Sequence, residues 1–301
     1  MKILYYSDKY AYDVMGTKRS LAESIRNILG YEIIWVDKSK IVCVLELVKE
    51  HKPNQIWLAH SGLKLPAHTE KKIHIPVVGF GFSDPCYFSE GRLKRCDMYV
   101  TNHYNTLLKY KHLLPIFYNP VACDIRFHKR LNLKKDIDVS FIGCGRHPKF
   151  KNRTERPNLI SFLRGELEGV IIKTFGRQWP EHPFHRNFIV GDKFLEAINR
   201  TKVGIDIQEE DSPLSHKMFE YLACGSFIVT RRRPEVERHL KENEHIVYYS
   251  SWQELSEKIE FYLGNPDLRE KIATAGYEHV RTHHDITNRV NSWVKECVSY
   301  I

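Results

Sequence analysis

The chain contains no apolar run of the roughly 20 residues that a helix needs to cross a bilayer. Its opening, MKILYYSDKY, turns polar too soon for a signal peptide and reads as a first strand. The seven cysteines, at 43, 86, 96, 123, 144, 224 and 297, are scattered, odd in number and never spaced CxxC. They support neither a zinc ribbon nor a disulfide framework, and a reduced, cytoplasmic protein fits them best. His283 and His284 have no Cys or acidic partner at metal-ligand spacing, so no metal is expected. No repeat of fixed period and no low-complexity tract is visible. The stretch GTKRS lacks the earlier glycine of a P-loop, which removes that phosphate cradle as well.

What is present is length, charge and alternation. At 301 residues the chain suits two domains better than one core. A formal charge of +9 and an isoelectric point near 9.1 call for an anionic partner, such as a nucleotide diphosphate, an anionic glycan or membrane, or nucleic acid. A merely basic surface is the other reading. The location of the charge matters more than its sum. HPKFKNRTERP and TRRRPEVER both follow apolar strands, where an α/β protein builds its ligand crevice.

Strand-like runs alternate with amphipathic segments in both halves. The first half reads KILYYS, TKRSLAESIRNIL, YEIIWVD, IVCVLELVKEH and QIWLAHSG, then three strands in HIPVVGFGFSD, DMYVTN and LPIFYNPVA. DIRFHKRLNLKKDID is polar, basic and aperiodic, and reads as a linker. The second half alternates again, from the strand DVSFIGCG through NFIVG, KVGIDIQ and SFIVTR to HIVYYS, and closes on helices broken at Gly264-Asn265-Pro266. This pattern predicts α/β architecture with two Rossmann-like domains in tandem.

One helix stands out. SHKMFEYLACGSFIVT has a capping Ser215, a stop at Gly225 and a lone carboxylate, Glu220, among apolar residues. The helix start would offer unpaired N–H groups and positive charge to a phosphate, with His216 and Lys217 adding donors. A carboxylate one turn on can accept from both hydroxyls of a vicinal diol. The outline is a nucleotide site, although a Glu in a helix also serves as a solvated residue or as a partner for Lys217.

HKMFEYLACGSFIVT resembles the (R/K)-x-F-E-x-x-A-C-G-x-F-x-x-T motif of the GT-B glycosyltransferases similar to the spore maturation protein CgeB. GFGFSDPCYF, NPVACDIRFH, DVSFIGCG with RPNLISFL, TFGRQW and HHDITNR resemble further landmarks of that branch, in the same order. The resemblance runs from about residue 76 onward and is strongest between 205 and 290. It implies two Rossmann-like domains facing across a cleft: an acceptor domain over 1–130, a nucleotide-sugar domain over 131–284, and a helix over 285–301 returning to the first domain. It also implies Glu220 as the ribose ligand, with Lys217 where the family usually has Arg. The family's earlier Glu falls on Ser212, and Asp211 is the substitute candidate.

Transfer from a nucleotide-diphosphate sugar develops charge on the leaving diphosphate, which many GT-B enzymes neutralise without metal. Arg156, matching a family Arg, and Arg146, by position after DVSFIGCG, are the diphosphate candidates, with Arg231 a third. Phe188, in NFIVG, lies where relatives cradle the base, unless that segment is simply core. In the first domain, Gly16 permits close backbone approach after strand one. Asp84, His60 and Asp13 end strands or their turns and are the options for a general base if the reaction inverts configuration. A retaining reaction needs no such base, and retention is the expectation. The expected activity is hexosyl or pentosyl transfer to a glycan, a protein or modified nucleic acid. A nucleotide-sugar epimerase or hydrolase, or a degenerate binding module, are the alternatives.

Overall fold

The computed structural model describes residues 1–7, 17–37, 44–58, 74–81, 84, 88–146, 151–181, 187–209 and 212–299. These divide into two compact units. One comprises residues 1–124, 212–214 and 285–301, the other residues 125–211 and 215–284. Each holds one sheet, and every strand pairing in both sheets is parallel.

In the first unit β1 (Lys2–Ser7), β2 (Glu32–Asp37), β3 (Gln55–Leu58), β4 (Val77–Gly81), β5 (Met98–Thr101) and β6 (Ile116–Tyr118) lie in the order 2-1-3-4-5-6. Ile3 and Tyr5 of β1 enter one core and Leu4 and Tyr6 enter another, so the strand buries both faces. That is the demand a parallel sheet makes, and it explains why these strands are apolar throughout rather than alternating. Helices α1 (Thr17–Leu29), α2 (Val44–His51), α3 (Glu90–Leu93) and α4 (Tyr104–Tyr110) connect them, the last two unmarked by any clear period in the sequence. The final helix of the chain, α11 (Ile286–Ser299), belongs to this unit and packs on α1. Trp293 anchors it: its ring lies 5.8 Å from Trp57 and 5.4 Å from Phe80, which are themselves 5.1 Å apart.

In the second unit β7 (Ile137–Ile142), β8 (Ile172–Phe175), β9 (Thr201–Asp206), β10 (Phe227–Arg231) and β11 (Val247–Tyr249) lie in the order 11-10-9-7-8. Helices α5 (Glu155–Glu166), α6 (Asp192–Asn199), α7 (His216–Ala223), α8 (Pro234–Glu237), α9 (Trp252–Gly264) and α10 (Pro266–His283) complete it. The chain leaves β7 for β8 on one side and returns to β9 on the other. The connections therefore diverge between β7 and β9, and the carboxyl ends of such a pair are where open α/β sheets take their ligands. The corresponding divergence in the first unit lies between β1 and β3.

Two sequence expectations change here. NFIVG forms no strand: residues 188–190 carry no regular structure, and Phe188 and Val190 are 38% and 44% exposed. Asn187 is bonded to the exit of β8 through Gly176 N–H and Thr174 O, after which the segment runs along the surface with Arg177 stacked 4.4 Å over the Phe188 ring. DIRFHKRLNLKKDID is not a free linker either. Leu131 N–H donates to Asn199 Oδ1, Asn199 Nδ2 donates to Lys129 O, and Arg130 lies 4.1 Å over the Tyr277 ring. Local period is the wrong signal for such a strap, because it is held by side chains of distant helices.

Candidate functional site

Helix α7 begins where the loop after β9 ends, at the carboxyl edge of the second unit's sheet. Ser215 stands at the N-cap in extended backbone, but its side chain makes no capping hydrogen bond. The helix stops at Gly225, whose φ of +70° suits glycine, and Ser226 N–H and Gly225 N–H return to the carbonyls of Tyr221 and Leu222. A Cβ at Gly225 would also collide with the Arg130 side chain at 2.0 Å. Tyr221 fixes the helix to the sheet. Its ring rests on Gly204, where an added Cβ would come within 2.6 Å, and its hydroxyl meets Ser140 Oγ at 2.6 Å, which in turn meets Thr201 Oγ1 at 2.8 Å. With α7 pinned in this way, Glu220 takes a defined place.

Glu220 is only 5% exposed. Lys217 Nζ donates to its Oε2 at 2.8 Å, and Nζ also sits 4.4 Å over the Phe194 ring of α6. His128 Nε2 faces the other oxygen, Oε1, at 3.9 Å. The His128 ring is flanked edge-on by Phe127 and Phe194, at 5.0 and 6.1 Å. Burial alone would raise the carboxyl pKa, but Lys217, His128 and His216 together outweigh it and hold Glu220 below the ordinary range. The result is a charged acceptor kept ionised inside apolar surroundings. Sequence reasoning did not find His128 or Phe194. One lay in the segment read as a linker and the other in an ordinary amphipathic helix, and only folding brings them to α7.

The remaining candidates are distributed unevenly. Arg156, second residue of α5, is almost completely buried. Its Nε donates to Ile207 O at 2.9 Å and its Nη1 to Cys144 O at 2.8 Å. It thus spans the loops leaving β7 and β9 across the divergence of the connections, and burial pulls its pKa down to about 10. Arg156, expected as a diphosphate ligand, directs its Nε and Nη1 at backbone carbonyls and so braces these two loops. Arg231 is likewise engaged, with Glu155 and with Gln208 O. Arg146, by contrast, is exposed at the end of the turn after β7. That turn is tied to the exit of β8 by Trp179 Nε1 to Gly143 O, 3.0 Å, and Gly145 N–H to Arg177 O, 2.9 Å. His216 stands beside Lys217 in the first turn of α7.

In the first unit Asp84 has no exposed surface. Tyr99 Oη donates to its Oδ2 at 3.0 Å, Thr101 Oγ1 to the same oxygen at 2.8 Å, and Asp84 N–H donates to Asn102 Oδ1. These bonds fasten Asp84, one of the general-base options, to Tyr99 and Thr101 of β5. Asp13, Gly16, His60 and Asp211 lie outside the described residues. Among the described residues no group of three or more His, Cys, Asp or Glu side chains could hold a metal ion, and no helix is long and apolar enough to cross a membrane.

Comparison with known proteins agrees with this layout. Residues 153–295 match the model of the family described as glycosyl transferase-like. No curated protein matches by sequence. Among solved structures, the Anabaena protein HepE in complex with UDP and glucose is similar with a TM-score of 0.72 at 12% identity, covering 100% of both chains. Sucrose-phosphate synthase from Thermosynechococcus elongatus gives 0.70 at 10% identity, again over 100% of both chains. The T4 phage β-glucosyltransferase gives 0.66 at 13%, over 98% of this chain and 99% of its own. With parallel α/β units that match such structures along their whole length, the chain has the GT-B fold of glycosyltransferases, and its second half carries the glycosyl transferase-like family's match.

Proposed function

We propose that this protein transfers a sugar from a nucleotide-diphosphate sugar to an acceptor, with the donor held on the second unit. The observation that carries this reading is Glu220: a buried, ionised carboxylate in the second turn of the helix that follows β9, at the ligand-binding edge of a GT-B fold. Its oxygens accept from the ribose hydroxyls, while the start of α7, with His216 and Lys217, and the exposed Arg146 meet the diphosphate. Asp211 is proposed to help hold the sugar, and Phe188 with its exposed neighbours to receive the base. The match over 153–295 and the motif HKMFEYLACGSFIVT support placing the chain in the CgeB-like branch.

The transfer is read as metal-independent, so activity is expected to survive a chelator. Retention of configuration is the preferred outcome, supported by the enclosure of Asp84, and nuclear magnetic resonance of the product's anomeric proton distinguishes it from inversion. A neighbour whose structure was solved with UDP and glucose makes UDP-glucose the first donor to try. The positive balance of +9 and the likeness to a DNA-modifying β-glucosyltransferase favour a polyanionic acceptor, either nucleic acid or an anionic glycan.

A thermal-shift screen with UDP, GDP, ADP, CMP and TDP tests the reading. One diphosphate at about 100 times its dissociation constant adds about 2.7 kcal/mol of stability. Glu220→Ala removes most of that gain; an unchanged gain would take Glu220 out of the site. A binding module without transfer is the second reading, favoured by the engagement of Lys217, Arg156 and Arg231 with partners within the protein. Saturable slow hydrolysis of the donor sugar separates enzyme from module.

A further inference from the structure

Histidines from several segments of the second unit meet around the end of α10. The rings of His245, in the turn before β11, and His279, on α10, are stacked 4.0 Å apart and inclined by only 23°. His283 lies 4.7 Å from His279 on the same helix. His284, just beyond it, lies 5.7 Å from His279 and 5.3 Å from His239. For His245 the hydrogen bonds specify the neutral form. Its Nδ1 accepts from Lys241 N–H at 3.3 Å and so carries no hydrogen, while Nε2 faces Glu244 Oε1 at 3.1 Å. His279 donates from Nε2 to His239 O at 2.8 Å, because a carbonyl only accepts. A proton on His245 would cost the bond to Lys241 and set a charge against the face of His279. A proton on His279 would set one against His245.

The junction has no slack to absorb such a charge. A Cβ at Gly276 would lie 2.5 Å from His245 O and 2.8 Å from Leu222 Cδ2, so α10 is seated at once on the turn before β11 and on α7. His284 adds a further contact to α7, its ring 4.5 Å from that of Phe219.

We propose that the His245–His279 stack is a proton-sensitive clasp, closed while both rings are neutral, that holds α10 against the turn before β11 and thereby steadies α7. Acidification charges the pair and loosens both helices. Burial, then His245 and His283, bring the pKa of His279 down to about 4, against the raising influence of His239 O and Glu244. His245 is lowered as well, by burial first, with Lys241 and His283 adding and Glu244 opposing. The clasp's contribution is therefore complete above the ordinary 6.5 and is lost as pH falls from there toward the folded value. The clasp does not depend on what α7 binds. With a donor held at Glu220, nucleotide affinity falls along with it, and that consequence alone rests on the role proposed for Glu220.

The experiment takes the whole chain from about pH 7.5 to about pH 4.5, reading thermal unfolding and hydrogen exchange of residues 216–225. The proteins are the natural one, His279→Phe and His279→Gln, with His112→Gln as control at an exposed histidine of the other unit. Phe keeps the stacked ring, Gln keeps a donor for His239 O, and neither takes up a proton. Across this range the natural melting temperature falls about 3 °C further than that of either variant, the partly exposed His279 being screened by solvent. At the acid end its α7 amides exchange about fivefold faster than those of the variants, after correction for the intrinsic pH dependence. The control keeps the natural slope. If all four proteins lose melting temperature in parallel, the clasp is overturned. If the slopes differ but exchange of α7 does not, the coupling to α7 is overturned. Should both variants fold too poorly to compare, imidazole proton resonances of the natural protein decide: two rings titrating below the ordinary range support the clasp, and none doing so overturns it. If both readouts appear and no nucleotide of the thermal-shift screen binds, the donor reading falls and the clasp stands.

Discussion

Asp84 in the first unit and Glu220 in the second are both buried carboxylates at the carboxyl side of a parallel sheet, and their environments are opposite. Asp84 is surrounded by neutral donors, the hydroxyls of Tyr99 and Thr101. Burial dominates there and raises its pKa, against the lowering influence of Thr101, Tyr99 and the Arg92 charge. Glu220 also suffers burial, yet Lys217, His128 and His216 supply enough positive charge to lower its pKa. Burial alone therefore does not identify a functional acid. A carboxylate bonded to neutral hydroxyls is pushed toward its protonated form by burial, whereas one beside cations is held ionised.

The largest effect that would break this contrast is in the first unit. Asp84→Ala leaves two buried hydroxyls without their acceptor and is expected to cost about 3 kcal/mol of stability by urea unfolding, with the nucleotide-induced thermal shift preserved. A variant of normal stability that has lost the nucleotide shift would instead return Asp84 to the active site.

A pH series sharpens the comparison next. Because the folded pKa of Glu220 lies below its ordinary 4.5, its contribution is present above that value and is lost as pH falls through the folded pKa. The raised pKa of Asp84 gives the reverse: its contribution is complete below the ordinary 3.8 and is lost as pH rises through the folded value. Relative to Glu220→Gln, the natural protein should therefore lose advantage on acidification; relative to Asp84→Asn it should gain. Each slope is bounded by about 1.4 kcal/mol per pH unit, and slopes of the same sign in urea unfolding between pH 3 and 7 would contradict the assignment.

The smallest expected effect concerns what seats the lysine. Phe194→Leu keeps apolar contact with Lys217 but removes the ring face, worth about 0.5–1 kcal/mol. Nucleotide affinity should fall about two- to fivefold, with little change in stability. An affinity equal to that of the natural protein would show that Lys217 needs no such seat.

Much of this architecture was legible beforehand. The strand–helix alternation foretold two parallel α/β layers, and the elements appear close to where the apolar runs placed them. Gly225 ends α7 and Pro266 starts α10, since both signals act through the local backbone. What failed failed for non-local reasons. NFIVG is apolar enough for a strand but has no place in the sheet. Arg156 and Asp84 stand beside strand ends in the sequence, and only folding shows which groups they bond: backbone carbonyls after β7 and β9 for one, the hydroxyls of β5 for the other. The strap over 124–137 lacks any period because its order comes from Asn199 and Tyr277, far along the chain.

Sequence by itself determined the fold class and singled out Glu220, because hydrophobic period, glycine and proline punctuation, and a carboxylate within an apolar helix are properties of neighbouring residues. Only the tertiary structure decided which charges surround that carboxylate. His128, Phe194 and Glu220 are separated by dozens of positions, and their mutual distances depend on how sheet, helices and strap pack.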